Sequence, residues 1–164
     1  METGTRQPRM PPRIEPAGLL TGLKIRPILI GVAVDYVATY AMTYAWILFF
    51  VSRRLSAQGD AIEEAIKNYL ASSEGLLIGF AIGALCTVLG GYIAGRQARQ
   101  METKHGAFVG VGSLVLSALE QSVTEVDAPP PQWYMALAVL AAVPAGALGG
   151  YIAERWNQLA RVRR

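Results

Sequence analysis

Residues 75–95 of the chain read GLLIGFAIGALCTVLGGYIAG, an uncharged run between Glu74 and Arg96. An α-helix rises about 1.5 Å per residue, so roughly 20 apolar residues cross the hydrocarbon of a bilayer. The run is long enough to do so. It therefore predicts a transmembrane helix and places the chain among integral membrane proteins.

Three further apolar runs lie at residues 27–51, 106–123 and 133–153. The run at 106–123 is the weakest, because an acidic residue, Glu120, lies within it. The pattern predicts an all-α membrane protein in which residues 25–156 form a four-helix transmembrane bundle. A re-entrant third segment is the alternative, and it would put the two chain ends on opposite faces of the membrane.

The composition is also that of a membrane protein. Hydrophobic residues make up 52% of the chain and charged residues 16%, against roughly 25% charged in a soluble domain. The net charge is +3. The basic residues flank the apolar runs instead of forming one patch, so nucleic-acid binding is not expected.

The flanking charges predict the orientation. With four spans, the two tails and the second loop carry twelve Lys and Arg residues, whereas the first and third loops carry three. Cytoplasmic segments carry the excess of Lys and Arg. Both ends are therefore expected in the cytoplasm, residues 1–24 as a disordered tail with four prolines and residues 157–164 as a basic tail.

The loop between the first two runs contains a candidate amphipathic helix. Asp60 with Glu63 fits an N-terminal capping pattern. Four apolar side chains share one helical face: Ile62, Ile66, Tyr69 and Leu70. We expect a short helix lying on the outer surface of the membrane.

Small residues recur at every fourth position of the second and fourth runs. Such residues let helix backbones approach closely, and close packing drives helix association in lipid. The predicted packing positions are Gly75, Gly79, Gly83, Thr87, Gly91, Gly95, Ala138, Ala142, Gly146 and Gly150. Packing within the bundle is the first interpretation. An interface with another copy or a larger complex, or a pore or ligand groove, is the alternative.

A longer match accompanies these stripes. LGGYIAGR at 89–96 recurs as LGGYIAER at 148–155, and the stripes stay in register across the offset. The match predicts two similar helical hairpins that arose by duplication. Convergence on small-residue packing is the alternative.

Asp35 is an acidic residue well inside the first span. A carboxylate in the membrane is costly and indicates function by default, here proton or cation handling. The alternative is an aspartate that holds helices together by hydrogen bonds. Its expected neighbours lie every fourth residue on its own helix or at the same depth on the others: Gly31, Thr39, Thr43, Thr87, Ser113 and Gly146.

His105 is the second candidate, at the inner mouth of the third span beside Lys104. We expect an interfacial residue, with a headgroup-binding or pH-sensing group as the alternative. The basic residues at this inner rim are expected to set the topology, and attraction of anionic lipids is the alternative.

The chain offers no catalytic or cofactor-binding pattern. It has no nucleophile–base–acid arrangement, no phosphate-binding or dinucleotide-binding glycine motif, and no Cys/His cluster around its single Cys86 and single His105. We therefore predict a protein that is not an enzyme and holds neither cofactor nor metal.

Three short motifs support a resemblance. They are Gly31 with Asp35 in the first span, GGYIAGR at 90–96 and HGAFVG at 105–110. Together they resemble those of a broad group of small bacterial four-helix inner-membrane proteins. The resemblance covers roughly residues 28–153, and the long first loop and the second GGYIA copy depart from it. It implies a multi-pass protein of the bacterial inner membrane, and no activity.

Two functions fit these observations. The leading interpretation is a non-enzymatic scaffold or accessory subunit that packs through its glycine faces. The alternative is a small oligomeric transporter or channel that uses Asp35 for proton or cation handling. A dry, packed Asp35 would favour the scaffold, and a water-connected cavity beside it would favour transport.

Overall fold

The structure, a computed structural model, describes residues 18, 20–51, 53, 62–123 and 130–162. These residues form five α-helices and no strand. A five-residue π-helical segment, Ile47–Val51, continues the first helix. The helices are α1 Ile25–Trp46, α2 Ile62–Ala71, α3 Ser73–Ala98, α4 Glu102–Val123 and α5 Gln132–Val162.

Four helical segments are long and apolar enough to cross a membrane. They are α1 with its π-helical segment, α3, α4 and α5, with mean hydropathies between 1.3 and 2.1. The predicted all-α bundle with four spans is confirmed, and the chain is a multi-pass integral membrane protein.

The third span is a continuous helix. It begins at Glu102, four residues before the predicted boundary, and its 22 residues correspond to about 33 Å. The re-entrant alternative is therefore wrong. Two polar contacts with α5 support the first turn of this helix. Asn157 donates to Glu102 at 3.0 Å, and Thr103 donates to Glu154 at 2.8 Å.

The helices α3 and α4 lie in the middle of the bundle, and both α1 and α5 pack against them. We call the end that holds the start of α1, the α3–α4 turn and the end of α5 the closed end. The opposite end, where α3 and α5 begin and α4 ends, is the open end.

The closed end is organised around a tight turn between α3 and α4. The turn uses left-handed backbone at Arg99 and Met101, and the Arg99 N–H donates to the Gly95 carbonyl at 3.2 Å. Residues 20–24 dock on this turn, where Lys24 Nζ lies 3.4 Å from the Ala98 carbonyl oxygen. This part of the predicted tail is thus held in place, whereas residues 1–17 and 19 lie outside the described residues.

The predicted amphipathic helix is present as α2, at the open end. Its four apolar side chains are partly buried, while Glu63, Glu64 and Lys67 are exposed. Ser72 caps the following helix by accepting from the Gly75 N–H at 3.2 Å. The capping role of Asp60 lies outside the described residues.

The far end of α5 differs from the expected basic tail. The helix continues to Val162, so most of residues 157–164 extends the last span. Residues 163–164 lie outside the described part of the chain.

Glycine contacts hold the closed half of the bundle together. A Cβ added at Gly91 would meet the Gly146 carbonyl oxygen, and one at Gly150 would meet the backbone of Glu102. A Cβ at Gly95 would meet Ala153. Helix backbones therefore touch directly there, as the stripe predicts.

The same stripe does not pack throughout its length. A Cβ added at Gly83 would meet nothing within 4 Å, and one at Gly79 would meet only the Tyr134 hydroxyl, at 3.9 Å. Ala138 and Ala142 of α5 line the same space, although Ala142 also packs against Gly110. Packing is therefore the wrong interpretation for Gly83, because no neighbouring helix approaches it.

Candidate functional site

The helices separate toward the open end and enclose a cavity. Its volume is about 230 Å³. Gly79 and Gly83 of α3 line one wall, and the absence of side chains at these positions leaves the space free. All four membrane-spanning segments contribute to its walls.

Asp35 of α1 lies at the deep end of this cavity, toward the closed end. Its side chain is 4% exposed. The Thr87 hydroxyl of α3 lies 3.1 Å from Oδ2, the Thr39 hydroxyl lies 3.4 Å from Oδ1, and the Ser113 hydroxyl of α4 is hydrogen-bonded to Oδ2. The aspartate thus joins three spans by hydrogen bonds.

The sequence predicted that residues at the same membrane depth on the other helices would neighbour Asp35, and this is correct for two of the three positions. Thr87 and Ser113 both reach Asp35. Gly146, the third position at that depth, instead packs against Gly91 and Gly106. It is missing from the aspartate's surroundings because α5 turns that face toward the glycines of α3 and α4.

The two hydroxyls each have a second acceptor on their own helix. Thr87 Oγ1 lies 3.0 Å from the Gly83 carbonyl oxygen, and Ser113 Oγ lies 3.1 Å from the Val109 carbonyl oxygen. A hydroxyl carries one proton and rotates to suit its partner. Both can donate to an ionised Asp35. When Asp35 is protonated, both hydroxyls can donate to the carbonyls instead, and one hydroxyl oxygen can accept a hydrogen bond from the carboxylic acid.

Glu120 of α4 lies at the other end of the cavity. It is seven residues beyond Ser113, about 10 Å along the helix. The Tyr40 hydroxyl of α1 donates to its carboxylate. The Tyr40 ring also packs on Tyr36, with ring centroids 4.7 Å apart. The cavity therefore has an acidic group at each end and tyrosines along one side.

A second cavity continues from the first at the open end. It has a volume of about 620 Å³ and lies between α4 and α5. The two cavities share Leu114, Ser117, Glu120, Tyr134 and Ala138. Other residues of the second cavity, such as Ala118 and Val139, are exposed on the outside of the bundle. The space beside Asp35 therefore borders a second space that opens at the side of the bundle between α4 and α5.

The charged side chains that line the first cavity are all acidic. Two carboxylates line it, and none of the described residues in its wall is Lys, Arg or His. The described part of the chain also holds no group of three His, Cys, Asp or Glu that could bind a metal ion. The arrangement suits a positively charged or proton-carrying occupant.

His105 is far from this cavity, at the closed end. It is fully buried in the first turn of α4, and the interfacial depth expected from the sequence stays a prediction. The Lys24 backbone N–H donates to Nε2 at 2.9 Å, and Nδ1 lies 3.0 Å from the Met101 carbonyl oxygen. Nε2 therefore accepts and Nδ1 donates, which is the pattern of a neutral imidazole. The ring anchors the start of α1 on α4.

The basic residues of the closed end take part in contacts of their own. Arg96 lies over the Tyr92 ring at 5.9 Å, and Arg155 lies over the Tyr151 ring at 5.0 Å. These two pairs occupy matching positions in the two GGYIA copies, so the copies share a local contact as well as a sequence.

Sequence reasoning missed Glu120 as part of a site and missed the tyrosines. A signal for Glu120 was present, because Ser113, Ser117 and Glu120 follow the i, i+4, i+7 spacing of one helix face. Tyr36 and Tyr40 directly follow Asp35 and Thr39 on α1. No comparable signal marks Tyr134, which reaches the cavity from the first turn of α5.

Comparison of the chain with protein-family models, with curated proteins and with solved structures found no match.

Proposed function

We propose that this protein is a small membrane transporter or channel subunit in which Asp35 binds a proton or a cation that enters from the open end. The observation that carries the proposal is the position of Asp35. It is almost fully buried, yet it forms the deep end of a cavity that extends to Glu120 and borders a second space opening at the side of the bundle.

The hydrogen-bonding partners of Asp35 support proton exchange. Thr87 and Ser113 satisfy the carboxylate, and they also have carbonyl acceptors when the carboxylic acid forms. A change of protonation state therefore leaves no buried polar atom without a partner, which would otherwise cost about 1–3 kcal/mol.

The glycine contacts favour transport over a scaffold. A scaffold that docks through its glycine faces needs those faces to be free for a partner. Gly91, Gly95, Gly146 and Gly150 are instead buried against other helices of the same chain. Gly79 and Gly83 face the cavity.

The closed end is closely packed among the described residues. Val109, His105, Ala94 and Ala153 are fully buried there. Passage across the membrane therefore requires a second conformation or a second copy of the chain. We propose an oligomer, with the closed end in the cytoplasm of a bacterium and the open end outside, as the charge distribution indicates.

The test is a flux measurement on the full chain in liposomes. Proton movement is followed with an enclosed pH-sensitive dye, under an imposed membrane potential and under opposing Na⁺ or K⁺ gradients. We expect flux above that of empty liposomes, and its loss in Asp35→Asn. Glu63→Gln, an exposed acid on α2, is the matched control and should retain the flux.

Two results would contradict the proposal. One is wild-type flux equal to that of empty liposomes under every gradient. The other is full flux in Asp35→Asn. A stable larger complex recovered equally from wild type and Asp35→Asn, together with no flux, would favour the scaffold instead.

A further inference from the structure

We infer that the cavity takes a monovalent organic cation with an apolar body, whose charge lies near Asp35. This inference rests on the proposed function and narrows its substrate. It draws on the charge, the size and the aromatic character of the cavity, which are independent observations.

The charge of the lining selects a cation. Asp35 and Glu120 stand at the two ends of the cavity, and no described lining residue is basic. An anion would face two carboxylates in a medium of low dielectric constant, where like charges repel strongly. A cation would enter past Glu120 and come to rest beside Asp35.

The size of the cavity favours an organic cation over a metal ion. An apolar cavity of about 150 Å³ holds a benzene ring. At about 230 Å³, this cavity is larger than a bare metal ion needs. A metal ion would also need several oxygen ligands converging on one point. Here Glu120 instead lies about 10 Å along α4 from Ser113, the residue of that helix that is bonded to Asp35.

The aromatic lining matches an organic cation as well. Tyr36, Tyr40, Phe80 and Tyr134 come from three different spans and all line the cavity. Aromatic rings attract quaternary and protonated amines through the negative face of the π-system. Leu114 and Leu116 add apolar surface for the rest of the molecule.

The route of entry agrees with an amphipathic substrate. The second cavity opens between α4 and α5, where Ala118, Met135 and Val139 surround it. An apolar cation concentrates at the membrane interface. It can therefore reach this opening from the lipid side. A small hydrated ion cannot readily take this route, because it would have to enter the lipid.

The test is binding to the purified full chain in mild detergent, measured by titration calorimetry against protein-free micelles. The probe is benzyltrimethylammonium. Its comparison compound is neopentylbenzene, which has the same shape without the charge, and rubidium chloride represents a monatomic cation. We expect saturable binding of benzyltrimethylammonium alone.

Two variants locate the binding site. Asp35→Asn removes the charge and should weaken binding at least about tenfold, because contacts to charged groups are the strong ones. Gly83→Leu fills the cavity from a position with open space and should weaken binding similarly while the protein stays folded. Glu63→Gln is the control and should bind as wild type does.

The outcomes separate this inference from the proposed function. Equal binding of neopentylbenzene, or binding unchanged in both cavity variants, would overturn the inference. Absence of benzyltrimethylammonium binding together with Asp35-dependent flux of protons or metal ions would overturn the inference and leave the proposed function standing. Absence of both activities would overturn both.

Discussion

Asp35 shows how a carboxylate is accommodated inside a membrane bundle. A charged side chain at the centre of a bilayer costs several kcal/mol unless it faces the protein interior or water. Asp35 faces the protein interior, where hydroxyls of three spans surround it and a cavity lies beside it. The cavity is the feature on which the proposed binding of a proton or a cation depends.

The hydroxyl partners should contribute unequally to stability. Thr87 lies 3.1 Å from Asp35 and is buried, whereas Thr39 lies 3.4 Å away, near the limit of a hydrogen bond. Thr87→Val should therefore lower the free energy of unfolding by about 1–3 kcal/mol, since it leaves a buried acceptor with one partner fewer. Thr39→Val, the matched control on the same carboxylate, should cost about 1 kcal/mol or less.

Unfolding of the purified variants in detergent by a denaturant titration measures both values. Equal losses for the two variants would mean that the hydrogen bond from Thr87 to Asp35 is no stronger than the one from Thr39. The proposed proton exchange would then have less support from Thr87.

At the scale of the helix, one residue type has two uses along α3. Near the closed end its glycines permit contact between backbones, and near the open end they leave space. The difference lies in the opposing helix. Gly91 faces Gly146, which also lacks a side chain. Gly83 faces a region in which no neighbouring helix is close enough for contact.

Alanine substitutions at these two glycines form a matched pair on one helix. Gly91→Ala should destabilise the bundle by about 1–3 kcal/mol, because the new Cβ would overlap the Gly146 carbonyl oxygen and force the backbones apart. Gly83→Ala should leave the thermal unfolding temperature unchanged or slightly higher, since its Cβ meets nothing.

Thermal unfolding of the two variants in the same detergent, followed by tryptophan fluorescence, distinguishes them. A drop for Gly83→Ala as large as that for Gly91→Ala would mean that the open half is as tightly packed as the closed half, and the cavity would then be absent.

The sequence predicted the spans well because bilayer thickness fixes how many apolar residues each must have. It began the third span only at residue 106, after the charged residues Glu102 and Lys104, because it could not show that Asn157, 55 residues later, is bonded to Glu102. It found Thr87 and Ser113 by depth alone. It did not find the cavity, because a stripe of small residues looks the same in sequence whether its neighbours approach or withdraw.

The whole molecule is polarised between its two ends. The closed end combines close backbone contacts, the buried His105 and the docked residues 20–24. The open end carries the cavity mouths, Glu120 and α2. Among the described residues, most of the Lys and Arg lie at the closed end. In the proposed transport function the open end admits the substrate, and release at the closed end requires the second conformation or the second copy of the chain.

Because the two ends differ, the orientation of the protein in the membrane decides from which side a substrate reaches the cavity. The excess of Lys and Arg predicts that the closed end lies in the cytoplasm and that the cavity faces outward. Single cysteines can test this, because the native Cys86 is buried and wild type reports the background labelling. In intact spheroplasts, a membrane-impermeant maleimide should label Gln132→Cys at the open end. Gln100→Cys in the α3–α4 turn should be labelled only after permeabilisation. The reverse pattern would put the mouth of the cavity in the cytoplasm, and substrate would then reach Asp35 from inside the cell.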